Sequence, residues 1–118
     1  VAVPGTPNDP VQVIEVRDRG DWIIRAIERN ITGVYNAIGP KGGLTMQEMC
    51  SGIKKGVRAD ATFTYIDSAA VEKSATQFPI WVPPARATQG FHTRSGKKAF
   101  DAGLTSLSIE DTAKATND

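Results

Sequence analysis

The sequence predicts a single α+β domain over residues 1–118. Apolar stripes of helical period alternate with short β-branched and aromatic runs, the connections between them are short, and no internal repeat or long low-complexity linker interrupts them. The length suits one domain, and 40% hydrophobic with 23% charged residues is the composition of an ordinary folded chain. With 14 Lys+Arg against 13 Asp+Glu, the net charge of +1 gives no concentrated basic face. Nucleic acid and an acidic membrane are therefore not expected partners.

The elements follow in order. Three prolines within Val3–Pro10 make the opening an extended connector. Val11-Gln12-Val13-Ile14 reads as a short strand, and the stripe Trp22-Ile23-Ile24-Arg25-Ala26-Ile27 reads as a helix with Asp18 as its N-cap. Thr32-Gly33 turns the chain into Val34-Tyr35-Asn36-Ala37-Ile38, a second predicted strand ending at Gly39-Pro40. Thr45-Met46-Gln47-Glu48 has capping-box spacing, so a helix is expected to begin there. Its buried face is expected to hold Met46, Met49, Cys50 and Ile53; Lys54, Lys55 and Arg58 complement the macrodipole, and Gly56 frays or ends it.

Thr62–Ile66 alternates as a strand, and Asp67 or Ser68 can cap a short helix through Lys73. The prolines in Phe78–Pro84 argue against a central strand and for an irregular apolar segment that docks on the core or lines a pocket. A loop over Ala87–Arg94 leads to a helix from Ser95 to Ala102 closed by Gly103, with Leu104 and Leu107 anchoring the next turn. Ser108-Ile109-Glu110-Asp111 opens a last helix, which the polar tail Thr116-Asn117-Asp118 frays.

Several mechanisms are excluded by spacing. One cysteine, Cys50, cannot form an intramolecular disulfide, and with the single His92 it leaves a zinc site short of donors. Gly39-Pro40-Lys41-Gly42-Gly43-Leu44-Thr45 joins a strand to a helix but has neither P-loop nor dinucleotide order, so Lys41 reads as a solvated loop charge. His92, Ser95 and Asp101 crowd one short stretch and include no nucleophile elbow. Arg86, Arg94, Lys97 and Lys98 form a modest basic cluster without aromatic interleaving. No apolar run approaches the roughly 20 residues of a membrane span, and Val1–Gly5 lacks a signal-peptide pattern.

Val13-Ile14-Glu15-Val16-Arg17-Asp18, followed by Asp21–Glu28, resembles the NAD-dependent epimerase/dehydratase family, the extended short-chain dehydrogenases. There a strand ending in a Val-x-Asp element leads into an amphipathic helix. Gly33–Gly39 and then Leu44–Met49 are similar to the family's next strand, glycine loop and capped helix, in the same order; Ser95, Ala99, Gly103-Leu104 and Ile109–Thr112 look like its closing helices. The Phe78–Pro84 and Gly90–Arg94 segments look more like a divergent reductase-like branch.

The resemblance implies the small C-terminal substrate-binding lobe of such an enzyme, without the Rossmann nucleotide-binding half. It implies that NAD(P) is bound by a missing N-terminal domain, which also carries the Tyr-x-x-x-Lys pair; Tyr35 and Tyr65 are followed four positions later by Gly39 and Ala69. The partners expected are that domain, a small-molecule substrate, and a second copy in a homodimer. No catalytic residue is expected in this chain. The residues expected to face substrate are Trp81 and Phe91 as apolar walls, His92 as a hydrogen-bonding or titrating group and Arg94 as an anion-binding fork. The absent Met, Pro-rich entry and abrupt last helix are read as those of a chain excised from a longer one. The compartment is cytoplasmic by default, or periplasmic where a twin-arginine signal precedes the chain. The rival is an independent α+β binding module.

Overall fold

Thr45 and Glu48 start the best-anchored helix. The elements of the computed structural model, which describes residues 1–83 and 85–117, are strand β1 (Ala2–Pro4), helices α1 (Val16–Glu28) and α2 (Met46–Gly56), strand β2 (Thr64–Ile66), helix α3 (Ser68–Lys73), a single 3-10 turn (Arg86–Thr88), and helices α4 (Lys97–Asp101) and α5 (Ile109–Asn117). At the start of α2 the Thr45 hydroxyl accepts from Glu48 N–H and the Glu48 carboxylate from Thr45 N–H. The next two donors are met by the proline-rich opening: Met46 N–H donates to Asp9 O (2.8 Å) and Gln47 N–H to Pro7 O (3.0 Å). A helix end that would otherwise leave open donors is thereby tied to residues nearly 40 positions earlier.

The opening is thus more than a connector. Ala2, Val3 and Pro4 pair in parallel with Thr64, Tyr65 and Ile66, and Gly5 N–H to Ile66 O (2.8 Å) extends the ladder. This two-stranded sheet has β2 where the sequence predicts a strand. Pro4, with no N–H to give, is tolerated because β1 is an edge strand. Asp67 caps α3 through Ala69 N–H (2.9 Å), also as predicted.

The other two predicted strands do not form. Val11–Ile14 has no regular structure; Val11 and Val13 N–H reach Leu44 O and Gly39 O, but among the described residues the only bridge there is Pro10 with Thr45. Val34–Ile38 has no regular structure either, and among the described residues none of its backbone N–H groups finds a partner. Both have β-forming residues and lack a neighbouring strand to pair with. Asp18 is not the cap of α1. Glu15 takes that place, its buried carboxylate accepting from Arg17 N–H (2.6 Å) and Asp18 N–H (3.2 Å), while Asp18 Oδ2 accepts from Leu107 N–H (2.7 Å). Leu107 is thus held by its backbone; its side chain is exposed, and Leu104 alone anchors that turn in the core.

Apolar packing divides into two clusters. The larger gathers Val3, Val11, Met46, Met49, Cys50, Val71 and Trp81, with Ile109 of α5 against it. Here α5 crosses α2 closely because Gly52 and Gly56 have no side chains: a β-carbon at Gly52 would overlap Ile109 Cγ2, and one at Gly56 would overlap Glu110 O. Gly56 therefore serves helix contact as well as helix ending. Ile53, expected inside, is 37% exposed. Cys50 is buried, and that burial pushes its thiol up.

The smaller cluster holds only Trp22, Ala99 and Leu104 as buried members, with Tyr35 edge-on to Trp22 at 5.3 Å. Around it much apolar surface is uncovered: Val16, Ile23, Ile24 and Ile27 on α1, and Val34 at 85% exposure. α4 is shorter than predicted, ending where Gly103 adopts φ of 105° as the expected residue past the helix. Ser108 caps α5 through Asp111 N–H (3.1 Å). Pro84, in the predicted apolar segment, and Asp118, in the predicted frayed tail, lie outside the described residues.

Candidate functional site

The segment 92–95 is held from three sides. Gln12, half-buried and 82 positions away, clamps Arg94 with both ends of its amide: Nε2 donates to Arg94 O (2.6 Å) and Arg94 N–H donates to Oε1 (3.2 Å). Asn36 Nδ2 donates to Ser95 O (3.2 Å). His92 fixes itself by accepting from Val82 N–H at Nε2 (3.0 Å), which leaves Nδ1 to carry the ring proton. Its imidazolium form is held down by burial, against which the Asp9 carboxylate pulls upward.

Asp9 gathers donors from Thr6 Oγ1 (2.6 Å), Thr6 N–H (3.0 Å) and Trp81 Nε1 (3.3 Å). Burial pushes its carboxyl up, but these hydrogen bonds together outweigh burial and hold it below the usual carboxylate range. Trp81 is 5% exposed and belongs to the larger cluster, with Phe78 edge-on at 6.4 Å.

Two adjoining clefts result. A recess of about 140 Å³ is bordered by Trp81, Phe91 and His92 together with Asp9. A larger cleft of about 430 Å³ lies between the 39–44 turn and the 92–97 segment, and His92 and Arg94 line it with Gln12 and Lys41. The four residues singled out from sequence are therefore not one wall. Trp81 and Phe91 face the recess, Arg94 faces the cleft, and His92 stands between them. Phe91 is 49% exposed and edge-on to His92 at 5.0 Å.

Ser95 and Asp101 also border the larger cleft, but they do not form a hydrolytic relay. Ser95 Oγ accepts from Lys97 N–H (3.3 Å), Asp101 pairs with Lys97, and His92 Nε2 is already bonded to Val82. Of the predicted basic cluster, Lys98 lies 4.3 Å above the Tyr35 ring and donates to Val34 O (3.0 Å). The side chain of Arg86 lies outside the described residues.

No family model, curated protein or solved structure matches the chain. Its own geometry must carry the functional reading. Among the described residues the sheet has two strands of three residues, and the Gly39–Thr45 turn lacks the glycine order that close pyrophosphate contact uses. Among the described residues, no three His, Cys, Asp or Glu side chains come together to hold a metal ion, and no helix is long and apolar enough to cross a membrane.

Sequence reasoning missed Asp9, Gln12 and Lys41. Asp9 sits in a proline-rich stretch, and Gln12 acts across 82 positions, so neither carries a local signal. Lys41 was legible only as a charge in a turn.

Proposed function

We propose that this chain is the C-terminal, substrate-binding part of an NAD(P)-dependent epimerase, dehydratase or reductase of the extended short-chain dehydrogenase type, inactive alone. The observation that supports it is surface. The chain exposes 7995 Å², whereas a compact monomer of 12.6 kDa exposes about 6,200 Å². The excess of about 1,800 Å² exceeds the roughly 800 Å² that one partner contributes to a standard interface. Its radius of gyration of 15.8 Å likewise exceeds the about 13.5 Å of a compact chain of this length.

The uncovered area includes the α1 face and the unpaired 34–38 segment, the two features that a parent sheet and its helix layer would cover. In the assembled enzyme the N-terminal half would hold the nicotinamide, which would supply the hydride chemistry. This chain's residues bind and orient: Trp81 and Phe91 exclude water from the recess, His92 offers a hydrogen-bonding ring between the clefts, and Arg94 offers a guanidinium to the substrate.

Reading the coding region upstream tests this directly. A Gly-rich βα unit and a Tyr-x-x-x-Lys pair are expected there; their absence overturns the reading and leaves the independent binding module. Dehydrogenase turnover by the 118-residue chain alone would overturn the division of labour. Without its other half the same face pairs copies, so light scattering should show a concentration-dependent dimer.

A further inference from the structure

Three cations and one carboxylate line the larger cleft among the described residues. Two cations line it without an acidic partner among the described residues: Lys41, on the 39–44 turn, and Arg94, on the 92–97 segment. The third, Lys97, is neutralised by Asp101, the only carboxylate in the lining among the described residues. No hydrogen bond to a described residue occupies either the Arg94 guanidinium or the Lys41 ammonium.

Arg94 is also placed with care. The Gln12 amide grips its backbone on both sides, so the side chain leaves the wall from a fixed point. Holding one arginine this way stabilises the fold little by itself, since both bonds are exposed. Its effect is to limit the loss of freedom when the guanidinium takes a ligand. At about 430 Å³ the cleft falls within the range of small-molecule sites.

We propose that this cleft binds the terminal oxyanion, carboxylate or phosphate, of a small polar molecule. Arg94 provides the planar fork, Lys41 a second cation from the facing turn, and Gln12 acts as the positioning residue for Arg94. As the identity of the substrate's charged group, this rests on the enzyme reading above. As anion binding by this chain, it is tested separately.

The experiment is an amide NMR titration of the isotope-labelled 118-residue chain with inorganic phosphate and, separately, with succinate, at ionic strength held constant with chloride. Saturable shifts are expected at Gly42, Gly43, Arg94 and Ser95 with at least one of the two anions, and which one saturates distinguishes phosphate from carboxylate. Arg94→Gln and Lys41→Gln should each weaken binding at least tenfold. Gln12→Ala should weaken it several-fold while leaving Lys41 responsive, and Lys54→Gln, outside the cleft, should change nothing. Shifts that never saturate, that survive the Arg94→Gln and Lys41→Gln double variant, or that centre on Lys54, Lys55 and Arg58 overturn the proposal. The exposed positions of Lys41 and Arg94 keep these variants folded. A failed upstream search with a positive titration removes the enzyme reading alone; the converse removes this one alone.

Discussion

Around Met46 the chain closes on itself, whereas around Trp22 it remains open on one side. In the first region two strands, α2, α3 and α5 meet over seven buried apolar residues, and the donors at the start of α2 are met by residues 7–10 and by Thr45. In the second, three buried residues support a 13-residue helix whose isoleucines face outward. The two buried side-chain nitrogens without partners among the described residues, Trp22 Nε1 and Arg25 Nε, both belong to that helix. The same physics governs both regions. They differ in how much of each the rest of the chain covers.

Substitution of the two tryptophans should break the symmetry most visibly. Trp81→Ala removes a side chain from the closed cluster and should cost about 3–5 kcal/mol in urea denaturation. Trp22→Ala, in a cluster of three, should cost distinctly less in the isolated chain. Equal losses would show that the second region is as well packed as the first.

Next in size is the crossing of α2 and α5. Gly52→Val puts branched carbon where Ile109 already sits and should destabilise by about 1–3 kcal/mol, outweighing the gain in helix propensity over glycine. A stabilised Gly52→Val protein would mean that α5 does not rest there. Thr45→Ala should cost about 1 kcal/mol, because Glu48 N–H loses its acceptor.

The open face should respond in the opposite way. Ile24→Lys with Ile27→Lys should leave the stability of the monomer within about 0.5 kcal/mol while abolishing self-association in light scattering. A large stability loss would show that these residues are covered within the chain.

The smallest effect is a pH dependence confined to the region between the clefts. Burial lowers His92 below 6.5, so folding favours the neutral ring. The stability it contributes is complete above that value and is lost as pH falls through the lower folded value. Asp9 is held below 3.8 by its donors, so its contribution is present above 3.8 and is lost at still lower pH. His92→Gln should flatten the first step in urea midpoints measured between about pH 7.5 and about 5.5 and leave the second intact. An unchanged first step would assign it to another group.

Much of the local structure was legible in sequence. Thr45 and Glu48, Asp67, Ser108 and Gly103 act within four residues of their partners, and Met46, Met49 and Cys50 follow helical period. Such local signals are written where they act. The cap of α1 was misplaced because Asp18 and Glu15 are both acidic and within one turn, and the deciding fact is that Leu107 N–H claims Asp18. The strands at 11–14 and 34–38 were legible as propensity, but a ladder needs a neighbour, and the sequence of one segment does not state whether another will reach it.

The sequence by itself determined the α+β class, the helix starts and the main apolar stripes, because hydrogen bonds within a turn and side-chain periodicity depend only on nearby residues. Tertiary structure decided that Gln12 grips Arg94, that Trp81 packs in the core while bordering a recess, and that Lys41 and Arg94 share a cleft. Those relations join residues tens of positions apart. They depend on where the chain is held after it folds back, which local chemistry does not encode.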